Sequence, residues 1–173
     1  MNSFRDFVVG GAIGQIRLAI SGPEVLQLLG PPADWLGKAT IVGEPCPNYE
    51  RSRLWLYYEG SVGVRFDETA KAVEIVLYPE HLSKCPQLFG GWSIAERPTM
   101  GRWRQALVEN VVPFRESNPE SLNYWIVADE TCVAFGFPGP EGSKRGHERS
   151  VDILAKYRDP RTMLDECKFI GLP

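Results

Sequence analysis

The sequence predicts an α+β protein of two tandem repeats, each a short helix or helices packed on an antiparallel β-meander. Three observations carry this reading. A capped amphipathic helix stands at 21–30, two sets of three alternating apolar runs each follow a helical segment, and the two sets resemble one another. The repeats are expected over 1–85 and 86–173, forming one integrated unit, since 173 residues suit one ordinary domain or two small, closely packed ones.

The helix is read from SGPEVLQLLG. Ser21 and Glu24 have the S-x-x-E spacing of a capping box, in which two side chains satisfy backbone N–H groups left free at a helix start. Ile20 and Val25 stand where a hydrophobic staple would, Val25, Leu28 and Leu29 share a face, and Gly30 with Pro31-Pro32 ends the helix. Ahead of it, Ile16, Leu18 and Ile20 alternate as in a strand, and Gly10, Gly11 and Gly14 read as turn residues. Strands are expected over 54–58, 62–66 and 73–78 after a loop at 31–53. In the second repeat a strand at 91–95 precedes a helix capped by Thr99 and carrying Met100, Trp103 and Leu107, and strands follow at 122–128, 131–137 and 150–156. A short closing helix begins near Asp159-Pro160.

LWLYYEGSVGVRFD from Leu54 aligns with YWIVADETCVAFGF from Tyr124, placing Trp55 over Trp125 and Glu59 over Asp129. VEIVLY from Val73 echoes VDILAKY from Val151. Duplication explains this, although α+β domains also show such element order without it.

Alternation assigns faces. Leu54, Leu56 and Tyr58 join Val62, Val64, Phe66, Val73, Ile75 and Leu77 on a core side, leaving Trp55, Tyr57, Arg65, Glu74, Val76 and Tyr78 on the reverse. In the second meander Leu122, Tyr124, Ile126, Val133, Phe135, Phe137, Val151 and Ile153 form the core side, with Trp125, Val127, Asp152, Leu154 and Lys156 behind. The reverse side is rich in the residue types preferred as interface anchors, so Trp55, Tyr57, Arg65, Tyr78 and Trp125 are the candidate partner-binding residues. The same alternation also fits two sheets that continue into or fold against each other and bury those residues.

Charge and motifs narrow the function classes. There are 8 basic and 10 acidic residues through Cys85 and 11 and 12 beyond it, so neither half has the positive field that phosphate backbones select. The local basic run Lys144, Arg145, His147 and Arg149 is broken by Glu141 and Glu148 and reads as a solvated loop. His81 and His147 have no neighbourhood diagnostic of a triad. The pairs Asp67-Glu68 and Asp129-Glu130 fall in turns, and no nucleotide or zinc-protease motif occurs. No cofactor or metal is expected; His81 and Cys85, four apart, lack a second ligand pair. The N-terminus reads as no export signal and no run reaches the ~20 apolar residues of a membrane span, so the cytoplasm is the expected compartment. Cys46, Cys85, Cys132 and Cys167 are expected there as reduced thiols.

The stretch from Ile16 to Pro32 resembles the signature of the SmpA/OmlA-type assembly lipoproteins and the related β-lactamase inhibitor proteins: a strand, G-M-T-x-x-x-V, a leucine-rich turn and L-G-x-P. Ser21, Val25, Leu28, Leu29, Gly30 and Pro31 match, while Ala19 and Ile20 depart from the Gly-Met pair. The resemblance implies a non-enzymatic protein-binding module that presents a sheet face to its target. No lipobox cysteine stands near the N-terminus, so the lipoprotein role does not carry over. The build is also similar to that of bacterial toxin-immunity proteins. The expected function is therefore an inhibitor or immunity protein occluding a partner toxin or enzyme. The rival is a small-molecule-binding protein or enzyme using a cleft between the repeats.

Overall fold

Ser21 begins the helix that its capping box predicts. Its hydroxyl accepts the Glu24 N–H at 3.4 Å, and Glu24 Oε2 accepts the Ser21 N–H at 2.9 Å and the Ser21 hydroxyl at 2.6 Å. The computed structural model describes residues 3–36, 48–78, 92, 99–116, 124–137 and 153–158. Among these, three α-helices occur: α1 (Phe4–Gly10), α2 (Gly22–Leu29) and α3 (Met100–Glu109). Ile20 and Val25, the staple pair, are both buried. We expect Ser21→Ala to cost about 1 kcal/mol, read as a lowered denaturant midpoint at unchanged m-value.

Helix α1 is a second capped helix in the stretch read as glycine-broken. Ser3 and Asp6 make a capping box, and Phe4, Phe7 and Val8 form its buried stripe. Gly11 closes it in the left-handed region at φ 63°, a conformation that costs glycine little. The alternating run that follows is a tight hairpin, β1 (Ala12–Ile13) with β2 (Ile16–Arg17), rather than one strand through Ile20.

The remaining strands are β3 (Asp34–Trp35), β4 (Leu54–Tyr57), β5 (Val62–Phe66), β6 (Ala72–Leu77), β7 (Arg115–Glu116), β8 (Tyr124–Ala128), β9 (Val133–Phe137) and β10 (Ile153–Tyr157). They form one antiparallel sheet in the order β3-β4-β5-β6-β10-β9-β8-β7. Among the described residues α2 is followed by β3 to β6 and α3 by β7 to β10, and β6 and β10 meet at the sheet centre, where Leu77 pairs with Leu154. The fold class is α+β. Among the described residues the outermost strands, β3 and β7, are two residues each.

The three helices pack on one face of the sheet. Phe4 of α1 lies 5.6 Å from Trp92 and 5.6 Å from Trp103 of α3, and Trp103 lies 5.2 Å from Phe135 of β9. The N-terminal helix therefore packs into the second half of the chain. At the other end, Gly22 of α2 sits so close to Trp55 that a Cβ there would stand 3.2 Å from the indole.

The first meander corrects the face assignment. The β4–β5 hairpin pairs Tyr57 with Val62 and Trp55 with Val64, so Trp55 and Tyr57 share the helix-covered face with Val62, Val64, Phe66, Ile75 and Leu77. Leu54 and Leu56 pair with Arg65 and Gly63 on the other face, and Tyr58 lies in the turn. The reason is turn geometry. Tyr58 and Glu59 both take left-handed backbone, at φ 51° and 55°, which makes the loop four residues long. Gly, Asn and Asp are the residues that favour left-handed backbone, so Tyr-Glu gives no warning of it. A register slip of one residue then exchanges the two faces. In the second meander Ile126, Val133 and Phe135 are buried in the core as expected, with Trp125 and Val127 at register positions of the other face. Strand β10 is displaced by one: Leu154 and Lys156 pair with Phe135 and Val133, at positions of the helix-covered face. Trp55 and Trp125, superposed in the sequence alignment, thus stand at positions of opposite faces.

The strand expected at 91–95 is described only at Trp92, which is buried outside regular structure. The closing helix, the basic run near Lys144 and both histidines lie outside the described residues.

Candidate functional site

The five sequence-predicted binding residues do not form one surface. Trp55 is 6% exposed; its indole N–H donates to the Tyr49 carbonyl at 2.7 Å and its ring lies 4.5 Å from Phe66. Tyr57 is 4% exposed, its hydroxyl donates to the Gly30 carbonyl at 3.4 Å, and burial pushes its phenol well above the ordinary tyrosine range. Both are core residues beneath α2, which overturns their expected exposure.

Arg65 and Tyr78 belong to the opposite face. Arg65 Nε donates to Glu74 Oε2 across paired strands, and Glu74 is 3% exposed while the Arg65 side chain keeps an open edge. Tyr78, half-buried nearby, has its phenol raised first by burial and then by the Glu74 charge. This cluster is charged and mostly covered. Val76, Val127 and Ala134 on the same face are buried too. Of the fifth residue, Trp125, the register position alone is described, opposite Gly136.

The acidic turn at Asp67 has structural work. Its carboxylate accepts from the Thr69 hydroxyl at 2.7 Å, from the Lys71 N–H at 3.0 Å and from Arg158 at 2.9 Å. These bonds, the Thr69 hydroxyl first, hold its carboxyl well below the usual carboxylate range. Cys132 is a half-buried thiol; the other three cysteines lie outside the described residues. Among the described residues no three His, Cys, Asp or Glu side chains converge as a metal would require, and no helix is long and apolar enough to cross a membrane.

Two features escaped the sequence reading. The first is the turn after α3. Val111 follows the C-cap Asn110, its N–H donates to the Val108 carbonyl at 3.0 Å, and the Val112 N–H donates to the Leu107 carbonyl at 2.9 Å. That is the Schellman pattern, whose left-handed position commonly holds glycine. Here valine occupies it at φ 56° and is 86% exposed, beside Val108 at 65% and exposed Pro113. The second is a groove of about 580 Å³ between the β1–β2 hairpin and α2, lined by Gln15, Arg17, Ile20, Glu24, Gln27 and Leu28. The strings ENVVP and GQIR carry no motif that would have marked either.

No family model matches the chain, and no curated protein matches it. Among solved structures it is similar to the crystal structure of a DUF4309 family protein (YjgB) from Bacillus subtilis subsp. subtilis str. 168, at 17% identity over 80% of this chain and 78% of that one, with a TM-score of 0.40.

Proposed function

We propose that this protein is a non-catalytic protein-binding module whose contact surface centres on the turn after α3. The carrying observation is Val111. A β-branched residue with positive φ is strained by about 1–2 kcal/mol relative to glycine, and an exposed valine gains no burial in return. Strain of this kind concentrates at functional positions, and a partner that covers Val108, Val111 and Pro113 supplies the missing burial. Within that reading the likeness of 16–32 to the β-lactamase inhibitor signature supports the narrower one, a cytoplasmic inhibitor or immunity protein that blocks a partner toxin or enzyme by occlusion. No nucleic acid, membrane or cofactor enters this mechanism.

The test separates stability from binding. Val111→Gly should raise stability by roughly 0.5–1 kcal/mol, the relieved strain less the extra freedom glycine has when unfolded. Combined with Val108→Ser, it should abolish capture of the stoichiometric partner that the unaltered chain retains from extracts of its own host. A partner held equally well by the double variant, or no stoichiometric partner at all, would sink the proposal.

A further inference from the structure

The groove beside α2 sets a cationic side chain, Arg17, and an anionic one, Glu24, on the same lining. Arg17 of β2 acts on Glu24 electrostatically, yet the two form no ion pair, and the Arg17, Gln15 and Gln27 side chains make no hydrogen bond among the described residues. Glu24 Oε2 is occupied by the Ser21 N–H and hydroxyl, which leaves Oε1 as an acceptor. Those hydrogen bonds also hold the Glu24 carboxyl below its usual range, so the groove carries a fixed negative charge at neutral pH. Lys71, outside the lining, lies within reach of the same charge. Ile20 and half-exposed Leu28 provide an apolar flank. A volume of about 580 Å³ falls in the range of roughly 300–1,000 Å³ usual for small-molecule sites.

We propose that this groove binds a zwitterion, an α-amino acid or a di- or tripeptide with an apolar side chain, its carboxylate on Arg17 and its ammonium group on Glu24. A guanidinium offers paired N–H donors that match a carboxylate, and a carboxylate is the natural acceptor for an ammonium group. The carboxamides of Gln15 and Gln27 donate and accept, as a peptide unit or the groups beside the α-carbon require. The apolar flank receives the ligand side chain. This site is separate from the turn after α3, so either proposal can fail alone.

The experiment titrates the full chain with leucine and leucyl-leucine, following backbone amide resonances of 12–28 by NMR. N-acetyl-leucine and leucinamide, each lacking one charge, serve as comparators. Saturable shifts are expected for at least one of the two zwitterions, with both blocked forms at least tenfold weaker. Arg17→Gln should erase the preference over leucinamide, and Glu24→Gln the preference over N-acetyl-leucine. Glutamine keeps the capping box, because its carbonyl accepts the same Ser21 hydrogen bonds, so Glu24→Gln remains folded. The Val108→Ser/Val111→Gly variant should bind as the unaltered chain does. Whichever zwitterion binds more tightly identifies the source as free amino acid or peptide. No saturable shift from either, a blocked form binding as well as its parent, or unchanged preferences in both charge variants would overturn the inference.

Discussion

Trp55→Ala should destabilise the protein by about 3–5 kcal/mol, as much as Phe135→Ala and far more than a surface substitution. The side chain is 6% exposed, lies 5.5 Å from the Tyr49 ring and 4.5 Å from the Phe66 ring, and meets the first turn of α2 at Gly22. Removing it opens a cavity beneath α2 and strips the Tyr49 carbonyl of its indole donor, which adds roughly 1 kcal/mol where water cannot replace it. In a chain of this size each kcal/mol moves the melting temperature by about 2–4 °C, so a drop of about 6–20 °C is expected. Tyr57→Phe removes only a hydroxyl with a long hydrogen bond and should cost no more than about 1 kcal/mol. Denaturant melts of Trp55→Ala and Phe135→Ala side by side decide the point. A loss below about 1 kcal/mol for Trp55→Ala would return that ring to the surface and contradict the β4–β5 register.

The second large effect belongs to the pair of Arg65 and Glu74. Glu74 is 3% exposed, and the guanidinium beside it offsets part of the cost of its desolvation. Arg65→Met removes that offset and should cost about 2–3 kcal/mol. This is less than the ~3–5 kcal/mol of a fully buried pair, because water reaches the outer edge of Arg65. Replacing both residues, as in Arg65→Met with Glu74→Leu, should recover most of the loss, since two apolar side chains bury no charge. The coupling in that double-mutant cycle is the measured quantity. Additive losses would show that the two side chains do not act as a pair.

Elements dictated by local chemistry are legible in the residues alone. Ser21 and Glu24 lie in one helical turn and satisfy each other without help from the rest of the chain, so α2 was legible to its caps. The same chemistry marks α1, where the Ser3-x-x-Asp6 box stands with Phe4, Phe7 and Val8 at helical spacing, although Gly10, Gly11 and Gly14 read as turn residues. Period-two alternation located β4, β5, β6, β8 and β9 within one or two residues, because one face of each had to be apolar. It could not say which face. Leu54, Trp55, Leu56 and Tyr57 are all apolar enough to be buried, and the choice fell to a turn in which Tyr58, Glu59 and Gly60 all take left-handed backbone.

That β6 and β10 join the two meanders into one sheet follows from long-range packing, since strand pairing across the chain depends on backbone hydrogen bonds that leave no residue-type signature. Both candidate sites are equally non-local or conformational. The groove exists because the β1–β2 hairpin stands beside α2, which no spacing of Arg17 and Glu24 reveals. Val111 is conspicuous through its φ of 56° and its exposure, and a valine beside a proline is unremarkable until the backbone around it is known. Helix caps are short-range bargains between neighbouring residues; faces, grooves and strain are set by what the rest of the chain brings against them.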